Sequence, residues 1–291
     1  MENIGIVTDS SSDIPVKTAQ EYGIKIVPMY IGIEGELRKD LEEITPEEVY
    51  KAMESGKKTT TAAPSAGDYM NAFKSLFEKE GKEIIYCITL SSRLSGAFNS
   101  ANIAVKSMPE RKIVPVDSRT STICLGLIAM QAAEAVKKGL PREEVEKIIF
   151  NLVERNRFIA TLESFEHVFK GGRTVFFSKI FEKAIRFKSI LTIGRNGKVH
   201  LVKFVKNRQD AVAEIYRQSA LIAKRNRSSK IGVFYGDDPG PAMELKDMII
   251  SNSEIIIEDA IRDLILTKIT TVISAHTGPG IWGVAISQKL V

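Results

Sequence analysis

Cysteine is scarce in this chain: Cys87 and Cys124 are the only two among 291 residues. They lie far apart in apolar runs and in no CxxC spacing. A disulfide framework and a thiolate zinc site are therefore both excluded, and the pair reads as reduced core thiols. Histidine is nearly as rare, with three, and tryptophan occurs once. No cluster of His, Cys or carboxylates has metal-ligand spacing. The one GxGxxG spacing, Gly278 to Gly283, opens no helical pattern and so does not read as a dinucleotide fingerprint. Gly171-Gly172-Arg173-Thr174 lacks the Lys-Ser/Thr ending of a Walker A loop, and no serine sits in a GxSxG elbow. Equipment for nucleotide, dinucleotide or metal-dependent chemistry is thus not visible, and no cofactor is expected. No apolar run approaches the roughly 20 residues a bilayer crossing needs. No apolar leader precedes the first strand, so a cytoplasmic protein without a transmembrane segment is predicted.

What is present is ordinary for a globular protein: 44% hydrophobic residues, 26% charged residues and a net charge of +5. The clearest basic run, Lys224-Arg225-Asn226-Arg227 to Lys230, lacks interleaved aromatics. It reads as solvated surface in a loop after a helix, and no nucleic-acid partner is expected. The length exceeds the usual size of a single core and predicts two domains.

The first half alternates strand and helix. Strands are predicted at Ile4 to Val7, Ile24 to Pro28, Ile84 to Leu90 and Ile113 to Val116. Thr45-Pro46-Glu47-Glu48 has the N-cap, first-position proline and capping-box glutamate of a helix start. Ser65 and Asp68 repeat the device ahead of Tyr69, Phe73, Leu76 and Phe77, which share one helical face. Further helices are predicted over Leu94 to Val105, Leu125 to Val136 and Glu143 to Val153. This alternation predicts a parallel sheet with helices on both faces.

The second half, with a seam near Asn156, changes texture. Phe158 to Leu162 reads as a strand and Glu163 to Phe169 as a helix. Ile190 to Ile193 and Lys198 to Val205 flank Asn196-Gly197, a hairpin signal. Asp210 to Lys224 and Pro241 to Ile250 read as helices. Ile231 to Tyr235, Ile255 to Ile257 and Leu264 to Ile273 read as strands. The fold class predicted is α/β with two domains: residues 1–155 as an N-terminal three-layer parallel-sheet domain, and 156–291 as a C-terminal mixed-sheet α/β domain.

Three loops offer hydroxyls or imidazole: Thr59-Thr60-Thr61-Ala62-Ala63-Pro64-Ser65, Ser91-Ser92-Arg93-Leu94-Ser95-Gly96, and Ser274-Ala275-His276-Thr277-Gly278-Pro279-Gly280. In an open α/β sheet, ligands sit beyond the carboxyl ends of the strands. Asp9-Ser10, Ser91 to Ser95, Asp117-Ser118 and His276-Thr277 all follow predicted strands. The same residue types are preferred helix N-caps, so each loop alone is also explained by capping. Together they predict a neutral, hydrogen-bonding cup for a small anion. His167 and His200 lie inside predicted elements without partner motifs and read as structural. Phe165, Phe169, Phe176, Phe177, Phe181, Ile185 and Phe187 crowd one region, either as core or as the wall of an apolar pocket. Such a pocket ending in Ser, Thr and His donors suits a long-chain carboxylate.

Across essentially its whole length the sequence resembles the DegV family of bacterial fatty-acid-binding proteins. The ordered segments that carry the resemblance are Val7-Thr8-Asp9-Ser10-Ser11-Ser12-Asp13, Thr61 to Ser65, Leu90 to Ala97, Val116-Asp117-Ser118, Lys170-Gly171-Gly172-Arg173, Lys188-Ser189-Ile190-Leu191 and His276 to Gly280. The resemblance implies one long-chain fatty acid, such as palmitate, stearate or oleate. Its carboxylate would be held by Thr61, by Ser91, Ser92 or Ser95, and by His276, with Thr277, Gly278 and Lys206 beside them. It also implies that catalysis resides elsewhere. The chain would be the lipid-binding subunit of a bacterial fatty acid kinase, and a separate ATP-binding subunit would phosphorylate the carboxylate for phospholipid metabolism. A monomer is expected.

This sequence departs from the family pattern at Ala62 and Ala97, where hydroxyls are lost. It departs again at Lys206, which stands where the family carries arginine, with Arg208 two residues on. Lysine keeps the charge but not the planar fork. Two alternatives stay open: a lipid-sensing interaction protein without a kinase, and a phosphotransfer enzyme in its own right.

Overall fold

The computed structural model describes residues 2–163, 187–226, 228–251 and 264–291. Strands β1 (Ile4–Asp9), β2 (Ile24–Val27), β6 (Ile84–Thr89) and β7 (Lys112–Asp117) form a parallel sheet in the order β2-β1-β6-β7. Their continuous apolar runs are the signature of strands covered on both faces. Alternate residues divide accordingly. Val7, Ile85 and Cys87 pack with Tyr69, Phe73 and Leu76 of helix α3 (Ala66–Lys79) and with Ala101 and Ala104 of α4 (Ala97–Lys106). Ile4, Ile6, Ile84, Tyr86 and Ile88 face the other way, toward α5 (Thr122–Lys137). Helices α1 (Val16–Tyr22), α2 (Pro46–Glu54) and α6 (Arg142–Arg155) complete this half. Both capping boxes form, Thr45 with Glu48 and Ser65 with Asp68.

A second sheet takes its strands from the rest of the chain: β8 (Arg157–Leu162), β9 (Lys188–Ile193), β10 (Val199–Val205), β11 (Ser229–Tyr235), β12 (Ile265–Lys268) and β13 (Trp282–Gln288). Its order is β10-β9-β8-β13-β11-β12, and every pair is antiparallel except β11 with β12. The chain is therefore an α/β protein of two domains, one built on a parallel sheet and one on a mixed sheet. One face of the mixed sheet packs against α7 (Arg208–Asn226) and α8 (Gly240–Ser251) through Ile159, Ile190, Ile231, Val233 and Val284. Its other face, with Phe158, Ala160, Leu191 and Phe234, joins the core around α5. Phe158 and Phe234 stack there with ring centroids 5.3 Å apart.

Helix α5 is thus covered by both sheets, and Thr122, Ile123, Cys124 and Leu125 through Ala133 are all buried. Gly126 lets it approach the turn after β1, since a Cβ there would lie 2.6 Å from the Ser12 carbonyl oxygen. Cys87 and Cys124 are both buried and free. Burial pushes both thiols up, that of Cys124 to about 11.

Three features differ from the sequence expectations. A small antiparallel sheet, β4-β3-β5, is made by β3 (Tyr30–Ile33), β4 (Glu36–Lys39) and β5 (Thr59–Ala62). Each strand is only four residues long, and β4 and β5 are mostly polar, so the sheet does not stand out in the sequence. The run Leu264 to Ile273 is not one strand. It supplies only β12 and then turns into a short helix, α9 (Thr271–Thr277). The β-branched run favours a strand locally, but two distant carboxylates accept from the backbone at the start of α9: Asp13 from Thr270 N–H at 2.8 Å and Asp40 from Thr271 N–H at 3.2 Å. Acceptors that satisfy the open N–H groups of a helix start outweigh a weak local propensity. Finally, Lys230 is not loop surface. It is buried in β11 and paired with Glu134 of α5. The helix expected at Glu163 to Phe169, the strand at Ile255 to Ile257, His167, and the aromatic region from Phe165 to Ile185 lie outside the described residues. Phe187 is exposed, with its ring 6.3 Å from that of Phe204.

Candidate functional site

Between the two sheets lies a cavity of about 350 Å³, within the usual range for small-molecule sites. Phe158, Ala160 and Leu162 of β8, Leu191 and Ile193 of β9 and Val199 of β10 form one wall. Met29, Leu90, Leu94, Val272, Ile273 and Ile281 close it from other directions. The polar side chains on its lining are few: Thr61, Arg93, Ser95, Ser121, Thr122, His276 and Thr277.

Thr61 Oγ1 and His276 Nε2 are hydrogen-bonded at 2.8 Å, although 215 residues apart in sequence. Each is placed by its own element. Thr61 stands opposite Ile31 in the β3–β5 pairing. His276 occupies the last turn of α9, and Gly278, at φ 74, caps that turn by donating its N–H to the Ser274 carbonyl at 2.8 Å. The helix itself is fixed at its start by Asp13 and Asp40 and along its length by Ser274, whose Oγ lies 2.9 Å from the Tyr50 hydroxyl. Asp40 also accepts from Ser10 Oγ at 2.6 Å and from Thr271 Oγ1. Ser10 Oγ in turn accepts from the N–H of Met29, a cavity residue, at 3.1 Å. Asp40 therefore joins the cavity wall at Met29 to the helix that carries His276.

The loop after β6 is held by the third buried carboxylate. Asp9 accepts from Leu90 N–H at 2.8 Å and from Ser11 N–H at 3.1 Å. Ser91 then closes a helical turn, its carbonyl accepting from Leu94 and Ser95 at 2.9 and 3.1 Å. Burial raises the carboxyls of Asp9, Asp13 and Asp40 above the ordinary value, Asp13 well above it, against the pull of these hydrogen bonds.

Of the residues singled out in the sequence, Thr61, Ser95, His276 and Thr277 come together on the cavity, each half-buried. Ser91 is not on the lining. It is fully buried, and its hydroxyl donates to the Gly197 carbonyl at 2.9 Å, tying this loop to the tip of the β9–β10 hairpin. Ser92 is exposed and donates to the Asp117 carboxylate at 2.5 Å. Gly278 acts through the helix end. Lys206 is exposed in the connection between β10 and α7, away from the lining. Arg208 pairs with Asp238 at 3.5 Å beside a second, smaller cavity of about 90 Å³. His200 bonds the Asn196 side chain at 3.0 Å in the hairpin turn. Arg93, Ser121 and Thr122 line the main cavity without having been singled out. Arg93 lies within the hydroxyl-rich loop itself. Ser121 and Thr122 were missed because α5 starts three residues before the first apolar position of its predicted span. Among the described residues no group of His, Cys, Asp and Glu is arranged to hold a metal, and no helix is long and apolar enough to cross a membrane.

A family model described as an uncharacterised protein of the DegV family matches residues 3–289. The chain belongs to the DegV family. A DegV domain-containing protein of Caldanaerobacter subterraneus subsp. tengcongensis is 30% identical over 291 residues, covering 99% of this chain and 100% of that relative. Among solved structures, a DegV-family protein of Thermus thermophilus described as binding fatty acid superposes with a TM-score of 0.90 at 24% identity, over 98% of this chain and 99% of the other. A Thermotoga maritima protein whose structure reveals a fatty acid binding function gives 0.80 at 25% identity, over 99% and 100%. The DegV fold accounts for the pairing of a parallel with a mixed sheet.

Proposed function

We propose that this chain binds one long-chain fatty acid in the cavity and presents its carboxylate to a separate ATP-dependent fatty acid kinase subunit, which forms the acyl phosphate. The observation that carries the reading is the hydrogen-bonded Thr61–His276 pair on a mostly apolar cavity. The apolar walls take the acyl chain, each methylene contributing about 0.8 kcal/mol on burial. Thr61, His276 and Ser95 take the carboxylate, at roughly 1.5–3 kcal/mol for each hydrogen bond to the charged group, while Thr277 donates its hydroxyl to the Ile273 carbonyl at 2.9 Å. The lining draws on both halves of the chain, Thr61 and Ser95 from residues 1–155, Leu191 and His276 from residues 156–291. The half-burial of the polar residues leaves the carboxylate reachable by a partner. Catalysis, the ATP site and their cofactor belong to the partner, and this subunit acts as a cytoplasmic monomer. A second reading, a lipid-reporting protein without a kinase, is favoured by one observation: lysine, not arginine, at position 206.

Native mass spectrometry of protein from a bacterial host, followed by solvent extraction, tests the first part. A bound mass equal to one fatty acid is expected, and the stripped protein takes up added palmitate, stearate or oleate. A clean unliganded mass with no uptake sinks the reading. Incubating the loaded protein with ATP and a bacterial kinase subunit then separates the two readings: acyl phosphate supports the first, and its absence with intact lipid binding supports the second.

A further inference from the structure

Arg93 is the one side chain of permanent charge among the described residues that line the main cavity. It is exposed, so it stands at the rim and not in the apolar interior. Its guanidinium makes no ion pair and no hydrogen bond with any described residue; only its backbone N–H is engaged, donating to Ser91 Oγ at 3.2 Å. Arginines of the adjoining segments are committed. Arg119 pairs with Glu154 at 2.8 Å, and Arg157 donates to the Glu154 and Asn156 carbonyls at 3.0 and 2.8 Å. Asp117, the carboxylate bonded to this loop, is taken up by the N–H and hydroxyl of Ser92 and by the N–H of Arg119.

The backbone beneath Arg93 is fixed. Ser91 ties the turn to the β9–β10 hairpin through the Gly197 carbonyl, Asp117 holds Ser92, and the Ser91 carbonyl accepts from Leu94 and Ser95. The stem of Arg93 runs beside the hairpin tip, where a Cβ on Gly197 would lie 3.4 Å from its Cγ. The same turn sets Ser95 on the cavity. The next residue, Gly96, abuts the segment after β5: a Cβ there would lie 3.8 Å from Ala63 Cβ, just beyond Thr61 in the chain. One braced turn therefore carries a proposed head-group hydroxyl and an uncommitted guanidinium, on the same cavity as Thr61 and His276.

We propose that Arg93 is a specificity residue for the phosphorylated acyl chain: its guanidinium grips the phosphoryl group, so that the cavity holds an acyl phosphate more tightly than the fatty acid from which it is made. This rests on the acyl-binding reading of the cavity. A carboxylate brings a single charge, and Thr61, Ser95 and His276 satisfy it from within. A phosphoryl group adds three strong acceptor oxygens and a charge of about −1.5 to −2 at neutral pH. Those oxygens lie beyond the carbonyl, on the side a partner must reach, where Arg93 stands. The planar fork of arginine matches phosphate with two parallel hydrogen bonds. Because Arg93 is exposed, the gain is that of a solvated pair and not of a buried one.

The test measures Kd of the delipidated full chain for palmitate and for hexadecyl phosphate, a stable stand-in for the acyl phosphate with a chain of the same length. Hexadecyl phosphate binds about three- to tenfold tighter than palmitate at low salt, and the ratio narrows as salt is raised. Arg93→Gln brings the ratio toward one. Arg93→Lys keeps part of it, because the charge stays and the fork is lost. A misfolded variant weakens both ligands alike, so the ratio separates a lost contact from a lost fold. A wild-type ratio of one, a ratio that survives Arg93→Gln, or an equal loss of both ligands in that variant overturns the proposal. If hexadecyl phosphate binds through Arg93 and palmitate does not bind, the fatty acid reading fails and the phosphate assignment stands. If neither binds, both fail.

Discussion

Replacing Thr61 by valine removes one hydroxyl and leaves the shape of the cavity almost intact. Thr61 Oγ1 lies 2.8 Å from His276 Nε2, so the substitution removes one partner of the proposed carboxylate. It also leaves the imidazole with one fewer neighbour. A hydrogen bond to a charged group contributes roughly 1.5–3 kcal/mol, and every 1.4 kcal/mol is tenfold in Kd, so binding weakens by about 10- to 150-fold. The tail is untouched. Binding free energy plotted against chain length, from laurate through myristate and palmitate to stearate, keeps its slope of at most ~0.8 kcal/mol per methylene while its intercept shifts. Displacement of a fluorescent fatty acid or titration calorimetry gives both quantities. A matching series of fatty alcohols, with no charged head, shows a much smaller intercept shift. An unchanged intercept, or an equal shift for acids and alcohols, refutes the assignment of Thr61 to the head group.

Other expectations follow from the same network. Asp40→Asn has one acceptor oxygen where Asp40 uses both, Oδ2 for Ser10 and Oδ1 for Thr271. Thermal unfolding moves down by a few degrees, for a loss of about 1–3 kcal/mol, and palmitate affinity falls with it because α9 carries His276. Unchanged affinity contradicts the positioning role of Asp40. The Asp13 carboxyl is raised well above 3.8, chiefly by burial, so the folded state holds its proton more tightly than the unfolded state. Its stabilising contribution is complete below 3.8 and is lost as pH rises through the raised folded value. Glu214 opposes this at the acid end: the Arg217 hydrogen bond first, over burial, holds it near about 2, and its contribution disappears as pH falls from 4.5. The urea midpoint is therefore higher at pH 5 than at pH 8, and Asp13→Asn flattens the difference; a higher midpoint at pH 8 in the wild type contradicts it. Gly197→Ala is disfavoured twice, by φ 74 and by collision of the new Cβ with Ser91 Oγ. It costs about 1–2 kcal/mol and loosens the hairpin tip, seen as faster amide exchange around Val199.

Much of this architecture was legible in the residues. The parallel strands were visible as uninterrupted apolar runs, the capping boxes at Thr45 and Ser65 as spacings, and the β9–β10 hairpin as Asn196-Gly197. Helix α9 was not, because what makes it a helix is remote. Asp13 and Asp40 reach its first residues across 257 and 231 positions of sequence, and local propensity contains no trace of them. The hydroxyl-rich loops pointed to the cavity correctly at Thr61, Ser95, His276 and Thr277. They were misleading at Ser91, because a buried serine that fastens two loops has the same composition as one that faces a cavity. Ser121 and Thr122 escaped notice for a related reason: the apolar pattern of α5 begins after them, and only the turn of the backbone brings them to the cavity.

The doubly covered helix α5 has a consequence for how the chain is made. It is complete by residue 137, but the second of the two sheets that cover it begins only at Arg157 and ends at Gln288. Through the synthesis of that stretch, one side of an almost wholly apolar helix has nothing to lie against. A ribosome adding about 5–20 residues per second needs on the order of ten seconds or more for the remaining length. During that interval the nascent chain displays a greasy flank. Any chaperone that meets the nascent chain is accordingly expected to engage residues 122–137 and to be released when the last strand, β13, slots between β8 and β11.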